Sequence, residues 1–298
     1  MDRLKRMNYQ KKPLYPYIVG LTTGNVRKGV FIGQGDKWAE IAPLPGFSKE
    51  SLEEAILDLE KGMFKSPSVS FALESLKLPF PAPKPISTSL LLLGGPDEIL
   101  ERANRFTQFK SAKLKVSQLS FDDARNIIDK LIDRFYLRID VNRAWKTDEA
   151  ITFFKRYPKD VFDYVEEPFH NPRDLVMFTH PLAVDESYPS ELSLEDLEKL
   201  PTLKALIYKP TIQGGLVNAR PLKQWADNKG IQFIASSAFE TDLGLTHVLA
   251  FSQRIGLSEP VGIGTYHYLE KLFCDDAIQF LGANAIIKPP IPKMYDIL

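Results

Sequence analysis

Alternating apolar and polar positions dominate the start of the chain. Within residues 8–42, Tyr15, Tyr17, Val19 and Leu21 fall on one side of an extended strand, and the Thr-Thr-Gly-Asn run at 22–25 predicts a turn after it. The runs 30–32 and 38–41 continue as strands, separated by a Gly-Gln-Gly-Asp turn. After 43-PLPGFS-48 the period lengthens. Leu52, Ala55, Ile56, Leu59 and Met63 sit at helical spacing, with Ser48 as the expected N-cap, and a further short helix is expected near 67–77. These elements make an α+β module. It ends at 79-PFPAPKP-85, where four prolines in seven residues predict a stiff linker and a domain boundary.

Beyond the linker the texture changes. Apolar strand-like runs occur at 86–93, 112–116, 136–140, 163–167, 181–185, 204–209, 231–236 and 260–264. Amphipathic segments at 97–108, 120–133, 147–157, 216–228 and 243–254 lie between most of them. Strands alternating with helices predict an α/β fold, as a compact barrel or as a doubly wound open sheet. No G-x-G-x-x-G follows the first strand, which weakens a dinucleotide-binding version of the open sheet. After 166-EEPFHNPRD-174 helix character is weak, so the fourth helix of a barrel is expected to be reduced.

Composition narrows the function classes. Lys plus Arg number 38 and Asp plus Glu number 38, so no net basic field points to nucleic acid or to an anionic membrane. No stretch approaches the ~18 apolar residues that span a bilayer. The basic start lacks the apolar run of a secretory signal. Cys274 is the single cysteine, which removes an internal disulfide framework and points to a reducing, cytoplasmic setting. A small-molecule substrate is the expected partner, with neither nucleic acid nor membrane.

The candidate chemistry lies at strand ends. In 111-SAKLKVS-117, Lys113 and Lys115 point to the same side of a strand, where they repel each other unless anions face them. Successive runs then close on Lys115, Asp140, Glu166, Asp185 and Lys209, spaced by 25, 26, 19 and 24 residues, each about one strand–helix repeat. In a barrel such ends converge on one mouth. Three carboxylates in one cavity need a compensating cation, and hard oxygen ligands suit Mg²⁺. A lysine that loses its proton there could abstract one from carbon, with the metal stabilising the resulting enediolate. Asn142 points to the same side as Asp140 and is a candidate for holding substrate or ligand, while Arg138 could pair with a carboxylate. A lone strand-end Asp is more often a helix cap, so the weight rests on the set rather than on any member. His170, His180, His247 and His267 show no metal-ligand spacing.

These residues resemble the enolase superfamily, in its muconate-lactonizing-enzyme subgroup, and within it the o-succinylbenzoate synthases. The matching pieces are 38-WAEIAPLPGFSKES-51, 113-KLK-115, 137-LRIDVNRAW-145, 165-VEEP-168, 184-VDES-187, 208-YKPTIQGG-215, 236-SSAFETDLGL-245 and 262-GIGTYHYL-269, in family order. The resemblance implies a modified (β/α)7β barrel at 86–270 and an α+β capping domain at 1–80, with the tail 275–298 packing back on the cap. It implies Mg²⁺, with Mn²⁺ able to substitute, held by Asp140, Glu166 and Asp185. Lys115 is the implied base, Lys209 the implied stabilising cation, and Lys113 the residue that tunes Lys115. This lysine-plus-magnesium chemistry is a general property of the superfamily.

The implied activity is dehydration of 2-succinyl-6-hydroxy-2,4-cyclohexadiene-1-carboxylate in menaquinone biosynthesis. The alternative is N-acylamino acid racemisation, alone or alongside it. Family dipeptide epimerases carry an Asp-x-Asp after the last barrel strand, whereas 262-GIGTYHYL-269 holds no acid, which counts against a cationic substrate. Ser236, Ser237, Gly262 and Gly264 would instead cradle an anionic arm, and the 43–48 loop with Phe47 would cover the barrel mouth.

Overall fold

The structure, a computed structural model, describes residues 14–293. The 8–13 part of the expected β region and the 294–298 part of the expected tail lie outside the described residues. Two compact units divide the chain: one holds the residues up to 86 with 208–224 and those from 235 on, the other 87–207 and 225–234.

The first unit begins with strands β1 (Leu14–Gly20), β2 (Val26–Gln34) and β3 (Lys37–Ile41), paired antiparallel in that order. Helices α1 (Leu52–Glu60) and α2 (Pro67–Lys77) follow. Val30, Ile32, Ala39 and Ile41 of the sheet pack with Ala55 and Leu59 of α1 and Val69, Ala72, Leu73 and Leu76 of α2. The N-cap of α1 is Ser51 rather than Ser48. Ser51 Oγ accepts from Glu54 N at 3.1 Å while Ser51 N donates to Glu54 Oε2 at 2.8 Å. Ser48 has no carboxylate three residues on, and its hydroxyl accepts from Leu44 N at 2.8 Å, closing the turn before the helix. In α2, Pro67 occupies the first turn, where a missing N–H costs nothing. Short strand β4 (Ile86–Ser87) follows the proline-rich segment.

The second unit is built on β5 (Leu90–Leu92), β6 (Ser111–Lys115), β7 (Tyr136–Asp140), β8 (Tyr164–Glu166), β9 (Leu182–Val184), β10 (Leu203–Tyr208) and β11 (Gln232–Ala235). Helices α3 (Pro96–Arg105), α4 (Phe121–Leu131), α5 (Thr147–Phe154), α6 (Ser187–Ser190) and α7 (Leu194–Glu198) are interspersed, while α8 (Pro210–Gln213) and most of α9 (Leu216–Asn228) fall in the first unit. The strands order in space as they do in sequence, and the pairs from β5 to β10 are parallel. A doubly wound sheet would reverse its order at a switch point. An unreversed series of βα repeats instead gives an α/β barrel-like fold. The fourth repeat is reduced: Pro172–Met177 is a 3₁₀ turn whose N-cap Asn171 accepts from Arg173 N at 3.1 Å. The last expected strand, 260–264, is one parallel bridge between Ser236 and Gly262, followed by a 3₁₀ turn at Gly264–Tyr268. A Cβ on Gly262 would lie 2.7 Å from Ser236 Oγ, so only glycine permits that approach.

Helix α10 (Asp242–Arg254) and the hairpin strands β12 (Ile278–Leu281) and β13 (Asn284–Ile287) complete the first unit, with β13 pairing to β4. Strand β3 and α10 are joined by a buried carboxylate. Glu40 accepts from Thr241 N at 3.1 and 3.2 Å, Thr241 Oγ1 at 2.6 Å, Gly244 N at 2.9 Å and the Tyr17 hydroxyl. An anion at a helix N-terminus meets unpaired N–H groups and the positive end of the helix dipole. Among the described residues no helix is long and apolar enough to cross a membrane.

Burial raises the Glu40 carboxyl from 4.5 to about 7, against the pull of the Thr241 and Tyr17 donors. A raised folded-state value means that the carboxyl's stabilising contribution is complete below pH 4.5 and is lost as pH rises through about 7. Urea unfolding across this range should show the stability gap between wild type and Glu40→Gln shrinking as pH rises, by up to roughly 3 kcal/mol. A gap that widens would contradict the assignment.

Candidate active site

In the sheet unit, strand register sets the charges side by side. Lys115 is paired with Asp140, and Asp140 with Glu166, each the last residue of its strand. Alternation puts Lys113 on the same face as Lys115. The Lys113 ammonium lies 2.9 Å from Asp140 Oδ2 and 2.7 Å from Glu166 Oε1. Lys115 Nζ donates to the same Asp140 oxygen at 3.0 Å and to Asn142 Oδ1 at 2.7 Å. Asn142, left-handed at φ 48°, returns its own N–H to Asp140 Oδ1 at 3.1 Å.

The electrostatics follow from burial. Burial alone would lower the Lys113 ammonium, but Asp140, Glu166 and Asp185 outweigh it and hold Lys113 well above the usual lysine range. Burial would raise Asp140, but Lys113 and Lys115 hold its carboxyl well below the usual carboxylate range. Lys115 is the more open lysine, its side chain 27% exposed against 15% for Lys113.

Asp185 follows β9 and is placed by a residue to which the sequence reading gave no role. Glu167 Oε1 accepts from Asp185 N at 2.8 Å and Ser187 N at 3.0 Å, and Glu167 Oε2 accepts from Ser187 Oγ at 2.5 Å. Burial pushes the Glu167 carboxyl up to about 7, against the Ser187 donors. The signal was the second glutamate of 165-VEEP-168. Glu167 lies at φ 45°, and that left-handed turn breaks the strand alternation that would otherwise have placed it. Arg138 pairs with Asp163 at 2.8 Å.

The remaining expected residues lie in the other unit. Lys209 caps α8, its N–H donating to Gln213 Oε1 at 2.8 Å. The Phe47 ring lies 5.6 Å from Lys209 Nζ, within cation–π range. Ser236, Ser237 and Gly262 meet around the single bridge, where Ser237 N donates to Gly262 O at 2.9 Å and Ser237 Oγ shares a hydrogen bond with Thr265 Oγ1 at 2.8 Å. Gly264 opens the 3₁₀ turn. His247 is a packing residue: its Nε2 sits 2.7 Å from Trp38 O, and burial lowers its imidazole to about 4. Cys274 is buried, and its N–H donates to Asp242 Oδ2 at 2.7 Å.

Asp140, Glu166 and Asp185 fit a hard cation in donor type and burial: all three offer carboxylate oxygens, at 0%, 0% and 4% exposure. Among the described residues no three acidic, imidazole or thiol side chains form a ready metal cage, and the Lys113 ammonium spans Asp140 and Glu166.

A sequential parallel sheet whose successive strands close on lysine and carboxylate side chains is the framework of a barrel-like enzyme. Residues 98–285 match the enolase C-terminal domain-like family, and the chain belongs to that family. An o-succinylbenzoate synthase from Salmonella paratyphi B is 29% identical over 272 residues, 82% of this chain and 84% of that protein. The L-Ala-D/L-Glu epimerase of Bacillus subtilis, solved as a substrate-liganded complex, is similar with a TM-score of 0.77 at 18% identity, over 95% of this chain and 97% of that one. A dipeptide epimerase from Cytophaga hutchinsonii, complexed with Mg and D-Ala-L-Val, has a TM-score of 0.73 at 19% identity, over 94% of this chain and 93% of that one. At these identities the two structures establish the fold.

Glu167→Ala should strip the acceptor from three buried donors and lower stability by roughly 2–5 kcal/mol. Glu167→Gln, which keeps one acceptor oxygen, should cost less. Thermal melts that rank the two variants equally would remove Glu167 as the anchor of Asp185 and Ser187.

Proposed function

We propose that this enzyme is an o-succinylbenzoate synthase, dehydrating 2-succinyl-6-hydroxy-2,4-cyclohexadiene-1-carboxylate to 2-succinylbenzoate and water. The observation that carries this reading is the 29% identity to the Salmonella o-succinylbenzoate synthase over 82% of the chain. The acid-free segment 262–269 agrees with it, because a cationic substrate would need a carboxylate partner there. In this reading 86–270 is the catalytic (β/α)7β barrel, and the α+β module ending at residue 80 is the capping domain that selects substrate.

Asp140, Glu166 and Asp185 are the residues that would hold Mg²⁺. When bound, the ion supplies Lewis-acid stabilisation of the substrate carboxylate as negative charge develops on it. Lys115 Nζ takes the proton from the carbon bearing that carboxylate. Its greater exposure than Lys113 makes it the lysine that substrate can reach. Lys113, fixed by Asp140 and Glu166, stays charged. Lys209 adds a second cation where charge builds, and the Phe47 face restricts where its ammonium can sit. The ring then loses hydroxide, which leaves as water once protonated, and becomes aromatic. Lys115 can return its proton to that hydroxide if both groups leave from one face.

An ultraviolet assay of dehydration, run beside N-succinylamino acids in D₂O, tests the reading. Dehydration should be Mg²⁺-dependent and more efficient than racemisation by roughly tenfold or more, a margin that a few extra transition-state contacts provide. Racemisation at equal or greater efficiency would replace the synthase by an N-acylamino acid racemase. Lys115→Ala should lower kcat by roughly 10²–10⁴-fold and abolish deuterium uptake at the α-carbon. Retained uptake would move the base role to another group.

A further inference from the structure

Arg27, in β2, has no place in the chemistry above, yet its side chain is buried at 4% exposure. Its hydrogen bonds go to main-chain oxygens: Nε to Phe239 O at 3.1 Å, Nη1 to Pro43 O at 2.8 Å, and Nη2 to Ala42 O. Burying a guanidinium is costly, and charge-assisted bonds to several carbonyls offset that cost. One cation therefore ties together two segments far apart in sequence, the 42–43 strand exit and the 236–240 stretch.

The segment leaving Ala42 and Pro43 has little else to hold it. Pro45, Gly46 and Phe47 are exposed, so no core packs them. The turn closes on itself, with Ser48 N donating to Leu44 O at 2.8 Å and Leu44 N to Ser48 Oγ at 2.8 Å. A self-closed turn keeps its shape but not its direction; direction comes from its stem. Arg27 grips the stem carbonyls. At the tip, Phe47 lies 5.6 Å from Lys209 Nζ. On the other side of the grip, Phe239 is left-handed at φ 60°, and the next residue, Glu240, accepts from Ala238 N at 2.6 Å and from Thr211 Oγ1. Arg27, Phe47 and Phe239 line one cavity of about 840 Å³ together with Leu21, Asn25 and Lys49.

We propose that Arg27 is a positioning residue that clamps the 42–48 turn to the 236–240 segment and so holds Phe47 over the Lys209 ammonium, fixing the cavity wall that selects substrate. A planar fork with several donors can reach three carbonyls, whereas a lysine ammonium in the same place would satisfy fewer at once. The kinetic part of the proposal rests on the functional reading given above; the structural part does not.

Two measurements test it. Hydrogen–deuterium exchange should be roughly tenfold or more faster in segments 42–48 and 236–240 of Arg27→Met than in wild type, with α1, α4 and α9 unchanged. Arg27→Lys should fall between the two, and it serves alone if Arg27→Met does not fold. In steady-state assays KM should rise roughly tenfold and kcat should fall by a smaller factor, because the clamp shapes the cavity wall directly and the Lys209 ammonium only through Phe47. Combining Arg27→Met with Phe47→Ala should raise KM no further than the larger single effect, since both act through one turn. Unchanged exchange in both segments, or KM effects that multiply, would overturn the proposal. If wild type dehydrates no substrate but the exchange pattern holds, the clamp stands and the synthase reading falls.

Discussion

Asp140 is the constraint on which the sheet unit depends. A carboxylate wholly removed from water is unaffordable alone, and two lysines bond it through a single oxygen. That pairing is possible only because β6 and β7 are parallel and in the register that sets Lys115 against Asp140. A one-residue slip would turn Lys113 and Lys115 away from the carboxylate and leave an unpaired buried charge. The same register carries Asp140 to Glu166 on β8. Fold and chemistry thus share one requirement: opposite charges that have lost their hydration must meet across neighbouring strands.

Buried ions organise the rest of the chain in the same manner. Glu167 gathers the backbone after β9, Glu40 seats the start of α10, and Arg27 fixes the exit of β3. Each is a buried ionisable group bonded to main-chain groups, so each specifies backbone position rather than simple attraction. Such sites are costly to disturb, because removing the ion strands several buried partners at once.

Local rules made much of this legible. Period-2 alternation gave the first three strands, and the charges closing successive apolar runs gave Lys115, Asp140 and Glu166 before any geometry was known. The short helix expected near 67–77 is α2, with Pro67 in the first turn, where its missing N–H costs nothing. Where two signals competed, the finer one decided: Ser48 ends 43-PLPGFS-48 as a cap-forming residue, but only Ser51 has a glutamate three residues later. The hairpin of β12 and β13 went unread although Gly282 and Ala283 make a two-residue turn between apolar runs, with Gly282 at φ 64°. Residues 260–264 are apolar enough for a strand, but Gly262 and Gly264 supply no side chains to pack, and a single bridge forms. The roles of Glu40 and Arg27 went unread, since each has a partner 201 or 212 residues away that no local period reports.

The central claim is that the three carboxylates at the ends of β7, β8 and β9 form a divalent-ion site whose charge Lys113 and Lys115 balance only in part. Titration of the purified protein with Mn²⁺, followed by electron paramagnetic resonance, measures that directly and without substrate. The account predicts a single tight site per chain that Mg²⁺ displaces and that Asp185→Asn weakens. Absence of a site, or unchanged affinity in Asp185→Asn, would contradict it.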